Sequence, residues 1–359
     1  MKQTIGWLLG LFAISCSIHA IEAVDTGIYV SSNHFSSAIF WLDNDNLLVA
    51  GVLVEKKSPE PTGRRLLRYR IADRNLTDMG QIGGGLCVSD GYVRFWRPTP
   101  ETAAKPLSQQ KKLSFAGPLD NLVEVPPPPP VPPNFLPRDP LHGCQYPHEL
   151  AAPPWLEEAR TSGRVFKPLK PEHGWVEMVV HSRDGIRSNP DYPAAIFKPD
   201  GSSVRVDDVF RPYLREGFSL WSPEYVPVKD AYLVVLTYYD SLSRPPGSPL
   251  AWWMYPNGKV EELVFANPAY QFWGNRVFTR VGHLIIRPSF GKRTLDEAGI
   301  YRDDVNGPVK LVPGRIMDKT SVSPNGCLVA FGNDDRSNAV PGNETYKLQV
   351  IDVCERKPK

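Results

Sequence analysis

Cysteine carries the most readable chemistry of this chain, because thiols that pair into disulfides constrain the strands that hold them. Five are present. Cys16 lies inside an N-terminal apolar run, and Cys87, Cys144, Cys327 and Cys354 remain as an even set, which in an exported chain reads as two disulfides. The last two flank a hairpin. Ser323-Pro324-Asn325-Gly326 is a turn, Cys327-Leu328-Val329-Ala330-Phe331 a strand, and Lys347-Leu348-Gln349-Val350-Ile351-Asp352-Val353-Cys354 the return strand after a polar loop. A register with Phe331 opposite Val350 carries Cys327 opposite Cys354, within reach of a cross-strand bond, and leaves Cys87 for Cys144.

The other reactive groups are weaker signals. His142, Cys144 and His148 have ligand chemistry for zinc, but tetrahedral zinc needs a fourth donor and Cys144 is already assigned to a disulfide. His173, His181 and His283 stand alone in the sequence and read as structural or exposed. The acidic pairs Asp207-Asp208, Asp303-Asp304 and Asp334-Asp335 could bind calcium or act as acid and base on a glycoside. Aspartate also bonds its own backbone in turns, and the turn reading is simpler. Aromatic residues concentrate between Trp221 and Trp273, where they would suit a sugar- or peptide-stacking surface or an ordinary sheet core. Adjacent Trp252 and Trp253 must point to opposite faces of a strand, which favours the core. Gly83-Gly84-Gly85 lies between strands and reads as a turn, not as a phosphate loop opening a helix. Neither a metal nor another cofactor is expected, and no catalytic residue is assigned.

Bulk properties set the address. Lys2, the apolar run Ile5 to Ser15 and the small-residue context Ser17-Ile18-His19-Ala20 have the form of a signal peptide over residues 1–20. Cleavage after Ala20 gives a periplasmic or secreted protein. Phe12-Ala13-Ile14-Ser15-Cys16 also has the form of a lipobox, with Ala13 where leucine is usual, so lipidation of Cys16 and an outer-membrane anchor form the alternative. No other stretch is long and apolar enough for a transmembrane helix. Lys and Arg number 41 against 39 Asp and Glu, and loss of Lys2 leaves 40 against 39. That near balance provides no electrostatic footprint for nucleic acid.

Strand-like runs recur about every ten to fifteen residues, separated by Gly, Pro, Asn and Asp, and helical periodicity is nearly absent. Asp200-Gly201, Asn257-Gly258 and Asn306-Gly307 supply hairpin turns between an aromatic strand and a shorter one. Units of about 40 to 55 residues with about four strands each predict an all-β fold, a β-propeller of about six blades of four-stranded antiparallel sheet. The blades fall near 25–80, 81–124, 165–207, 208–264, 265–314 and 315–357, and a strand from Gly27 to Val30 would complete the last one. Residues 21–359 thus form a single propeller domain with a Pro-rich insertion at 98–164. The prolines of its tract Val125 to Pro133 lack backbone donors, and the tract is expected as an extended spacer.

The segment Ser323-Pro324-Asn325-Gly326-Cys327-Leu328-Val329-Ala330-Phe331 resembles the Ser-Pro-Asp-Gly strand motif of TolB-like bacterial propellers, with Asn325 in place of the usual Asp. Looser echoes occur at Trp221-Ser222-Pro223 and Phe40-Trp41-Leu42-Asp43. The resemblance implies a propeller in the cell envelope. It does not transfer TolB's partners, because this repeat serves many activities. Propeller proteases that share it carry an α/β-hydrolase domain, whose Gly-x-Ser-x-Gly elbow this chain lacks. The expected function is a non-catalytic binding or scaffold protein for a protein or glycan ligand. The alternative is a propeller hydrolase or lyase acting on a glycan from the central funnel.

Overall fold

A computed structural model describes residues 21–31, 39–53, 64–89, 91–105, 109–126, 153–170, 172–179, 182–183, 186–187, 192–213, 218–220, 223–238, 251–266, 275–287, 297–334 and 345–354. Cys16, Cys144, His142, His148, His181, Trp221, Trp273, Asp335 and the tract 127–133 lie outside these residues.

The described chain forms a six-bladed β-propeller of antiparallel sheets. Strand β1 (Val24–Ser31) comes first and is used last. Blade 1 follows as β2 (Ile39–Trp41), β3 (Asn46–Gly51), β4 (Arg65–Arg70) and β5 (Asn75–Gln81), and blade 2 as β6 (Gly84–Ser89), β7 (Tyr92–Pro98), β8 (Lys112–Pro118) and β9 (Val123–Val125). A short helix α1 (Pro154–Thr161) precedes blade 3. That blade comprises β10 (Val165–Pro168), β11 (Trp175–Val179), β14 (Tyr192–Phe197) and β15 (Ser203–Arg205), with a small ribbon of β12 (Ser182–Arg183) and β13 (Ile186–Arg187) between its second and third strands. After helix α2 (Asp207–Phe210), the inner edge of blade 4 is split into β16 (Phe218–Leu220) and β17 (Glu224–Val226), both paired to β18 (Ala231–Tyr238), which continues to β19 (Ala251–Met254) and β20 (Val260–Glu262). Blade 5 holds β21 (Asn275–Thr279), β22 (Gly282–Arg287), β23 (Gly299–Arg302) and β24 (Val309–Pro313). Blade 6 holds β25 (Ile316–Val322), β26 (Leu328–Asp334), β27 (Thr345–Asp352) and then β1. First strands of adjoining blades approach one another, as β2 does β25 and β6, and β21 does β25.

Ring closure follows from burial. In β1, Ile28 and Val30 are fully buried against Trp41, Leu47, Leu348 and Val350, so the N-terminal strand fills the gap between blades 6 and 1. Trp41 Nε1 donates to the Ser321 carbonyl at 3.1 Å and ties the two inner strands across that seam.

The hairpin of blade 6 differs from the expected register by one residue. Phe331 pairs with Gln349, and Ala330 pairs with Val350. Residues opposite each other share a face of the sheet. Ala330 and Val350 both pack toward blade 1, whereas Phe331, Val329 and Ile351 pack toward blade 5, so Phe331 cannot face Val350. Cys327 and Cys354 are nonetheless bonded, with Cα atoms 5.1 Å apart. Cys354 sits just past β27, where the bond Val353 N to Cys327 O at 2.8 Å holds the two ends together. Cys87, on β6, is also disulfide-bonded.

Two other expectations change. The stretch 98–164, read as an insertion, contains β8 and β9, the two outer strands of blade 2. Gly83-Gly84-Gly85 opens the inner strand β6 and is not a turn. The Trp96 indole lies on this backbone, and a Cβ on Gly83 would fall 1.8 Å from the ring, so only glycine fits. Trp252 and Trp253 are both core, facing blades 3 and 5 respectively.

Candidate functional site

The most built polar constellation among the described residues lies between blades 4 and 5. Strand alternation puts Arg276 and Phe278 of β21 on the face of blade 5 that meets blade 4, where Phe278 packs on Trp253. Phe278 pairs with His283 of β22, and Leu284 pairs with Arg302 of β23, so His283 and Asp303 lie side by side at the ends of adjacent strands. The segment Val264–Ala266, leaving β20, covers them from blade 4.

Asp303 is the hub. Its side chain is 1 % exposed, and its Oδ2 lies 2.5 Å from His283 Nε2 and 3.7 Å from Arg276 Nη1. The same oxygen accepts the Ala266 main-chain N–H at 3.1 Å. Arg276, 8 % exposed, stacks its guanidinium 4.3 Å above the Phe265 ring, and His283 meets that ring edge to face. An arginine on an aromatic face inside a protein gains both quadrupole attraction and packing.

Electrostatics assign the protons. Burial pushes the Arg276 guanidinium down to about 10, against the pull of Asp303, so it keeps its charge at neutral pH. Burial, reinforced by Arg276, also lowers the His283 imidazole below its ordinary value despite Asp303. His283 is therefore neutral at pH 7. A carboxylate only accepts, so the single ring proton sits on Nε2 and points at Asp303, leaving Nδ1 as an acceptor.

His283 and Asp303 help to line an open cleft of about 290 Å³, together with Val264, Phe265, Ala266, Val281, Gly282 and Arg302. Its rim is aliphatic, with Val264 77 % and Val281 52 % exposed. A histidine oriented by an aspartate has the geometry of a general base. A polar recess with an apolar rim has the make-up of a recognition pocket.

A second polar group joins the first hairpin loops of blades 3 and 4. Tyr232 Oη accepts the Lys170 N–H at 2.9 Å and lies 2.9 Å from His173 Nδ1, while Tyr225 donates to Asp230 at 2.6 Å. Burial, helped by that bond, raises the Tyr225 phenol. Lys170 caps the Tyr225 ring at 4.6 Å, so the group clasps two blades.

The sequence-level candidates thus separate. Asp303 and His283, read as a turn former and an isolated histidine, are brought together; Asp207 is buried at the start of α2 and held by Arg205 and Arg211; Asp304 caps its own turn through Asn306 N. Arg276 and Phe265 were not singled out. The available signal was positional, since His283 is the second residue of one strand and Asp303 directly follows the next. Among the described residues no three His, Cys, Asp or Glu side chains gather as metal ligands, and no helix is long and apolar enough to cross a membrane.

No protein-family model matches the sequence, and no curated protein matches it significantly. Similar solved structures include an oligogalacturonate lyase from Vibrio parahaemolyticus, at 12 % identity and TM-score 0.37 over 92 % of this chain and 93 % of that one. An acylaminoacyl peptidase from Pyrococcus horikoshii matches at 10 % identity and TM-score 0.30 over 91 % of this chain and 48 % of its own. TolB from Acinetobacter baumannii matches at 12 % identity and TM-score 0.24 over 88 % of this chain and 55 % of its own. The chain thus spans about half the length of the last two. At these scores the likenesses carry no argument about chemistry, and the propeller assignment rests on the six sheets themselves.

Proposed function

We propose that this chain is an exported envelope propeller that binds a partner protein through the cleft between blades 4 and 5, without catalysis. The observation that carries the reading is the aliphatic rim of Val264 and Val281, left in solvent beside a polar floor. Exposed aliphatic side chains grouped around a recess cost solvation and are a mark of interaction sites. On the floor, Asp303 meets His283, Arg276 and the Ala266 main chain, so its charge organises the segment that forms the cleft wall. The Cys327–Cys354 bond and bonded Cys87 accord with export through a signal over residues 1–20, with lipidated Cys16 as the anchored alternative and Cys144 as the proposed mate of Cys87.

The second reading is a hydrolase or lyase acting on a glycan, favoured by the His283–Asp303 contact, in which His283 would be the base. One experiment separates them. A photo-crosslinking residue placed at Val264 or Val281 in the producing cell should give one discrete protein adduct that the same residue at remote, exposed Val123 does not give. No adduct at either rim position, or the same adducts at Val123, contradicts the binding reading. Turnover of an oligosaccharide by the purified protein, abolished by His283→Gln, would replace it with the enzymatic one.

A further inference from the structure

Five of the six seams between blades are filled by an apolar cluster drawn from both neighbours. The seam between blades 2 and 3 is built differently. Its cluster joins Phe166 and Trp175 of blade 3 to Leu156 and Ala159 of α1, with Trp155 stacked on Phe197, and takes no residue from blade 2. Blade 3 packs its other face on blade 4, so α1 sits on the face that looks toward blade 2. Blade 2, in turn, gives Leu86, Val93, Phe95 and Phe115 to the seam with blade 1, and strand alternation sends Cys87, Arg94, Trp96, Ser114 and Ala116 to the side of blade 3. Cys87, Ser114 and Ala116 are buried there, although no apolar cluster among the described residues contains Cys87 or Ala116.

What covers them follows from the path of the chain. Cys87 is disulfide-bonded, and Cys327 and Cys354 are bonded to each other, so its mate is Cys16 or Cys144. Cys16 falls in the run read as a signal peptide, which leaves Cys144. On that pairing, the chain between β9 and α1 leaves the outermost strand of blade 2, meets the innermost at Cys87, and comes back to α1 on blade 3. Crossing from β9 to β6 takes three strand spacings, about 14 Å, and the proline-rich run 126–133 can span about 25 Å as an extended polyproline helix. A ladder of paired residues marks the crossing: Val123 with Ala116, Ala116 with Arg94, and Arg94 with Cys87. Ala116 and Ser114 are small, so they leave a trough between the Val123 rim and the Arg94 side chain. Proline suits such a trough, because a residue with no N–H needs no acceptor where alanine and valine side chains offer none, and its carbonyls can accept from an arginine. We propose that residues 127–152 pack into the seam between blades 2 and 3, with the proline tract in the Ser114–Ala116 trough, Cys144 bonded to Cys87, and α1 as the second half of the filling. The tract is then part of the ring and not a ligand held out for a partner. This inference is independent of the cleft between blades 4 and 5.

The test uses the exported full chain. Peptide mapping without reduction should join Cys87 to Cys144, and a photo-crosslinking residue in place of Val131 should give intramolecular adducts with peptides of β7 or β8. Replacing residues 127–133 by a Gly-Ser run of equal length should raise hydroxyl-radical oxidation of Trp96 severalfold, while Trp41, in the seam between blades 6 and 1, keeps its wild-type rate. A link from Cys87 to Cys16 overturns the inference, as do adducts from position 131 elsewhere in the chain, adducts with a separate protein, or no adduct. An unchanged rate at Trp96 with Trp41 steady overturns it too. If Trp41 also reacts faster, the variant has lost its ring, and the disulfide map and the adducts, read on chains that keep the tract, decide.

Discussion

His283 is the residue whose environment makes the sharpest prediction. Burial and the Arg276 charge hold its proton affinity below that of the unfolded chain, whose histidine titrates near 6.5. As pH falls through that unfolded value the unfolded state takes up a proton that the folded state resists, so folding weakens on acidification; above it the two states bind alike and the effect vanishes. Urea unfolding of the wild type and of His283→Gln should therefore show a larger loss of stability in the wild type between pH 7.5 and 5.5. Equal losses would mean that His283 is not held neutral. This environment was not legible in the sequence. His283 and Asp303 are twenty positions apart, and only the pairing of β22 with β23 and the return of Phe265 and Ala266 from the preceding blade enclose them. The Ser-Pro-Asn-Gly turn was legible because its chemistry is local. Asn325 Oδ1 accepts from Ser323 Oγ at 2.7 Å and from Cys327 N at 3.0 Å, and Gly326 takes φ +75°.

At the scale of elements, the closing hairpin shows what pattern can and cannot place. Strand existence and turn positions were readable from alternation, but register has a one-residue ambiguity that only the identity of the facing blades removes. Leu328 to Phe331 is apolar at every position, so its sequence does not reveal which residues face blade 1 and which face blade 5. The cystine tolerates the shift because Cys354 follows the strand and is not locked in its ladder. With 27 positions between its halves, the bond should stabilise by about 3.5 kcal/mol in the chain-entropy model. Cys327→Ser should lower the thermal midpoint and leave Cys354 open to alkylation under non-reducing conditions, with Cys87 still protected. Peptide mapping that joins Cys327 to Cys87 or Cys144 would contradict the pairing. The Gly83–Gly85 run misled for a related reason: its cause is the Trp96 ring lying across it from β7, a contact between strands that composition does not encode.

For the whole molecule, blade boundaries were the most readable feature, since each blade repeats a sheet unit bounded by turn residues. Blade 2 was obscured because the polar stretch 99–111 separates β7 from β8 and resembles the start of an insertion. The site was the least readable feature, being assembled from two blades. Closure of the ring, by contrast, depends on β1, which is remote in sequence from the blade it completes. Its residues Ile28 and Val30 are buried, and Thr26 Oγ1 donates to the Leu348 carbonyl at 2.8 Å, so β1 should open only when blade 6 opens. Hydrogen exchange followed by mass spectrometry on the native protein tests this directly. The account expects the paired β1 amides of Val24–Ser31 to be protected to the same degree as those of β26 and β27, and to be lost with them in one cooperative step on adding denaturant. Exchange of β1 at the rate of an unstructured chain, while β26 and β27 stay protected, would contradict a ring closed by its N-terminal strand.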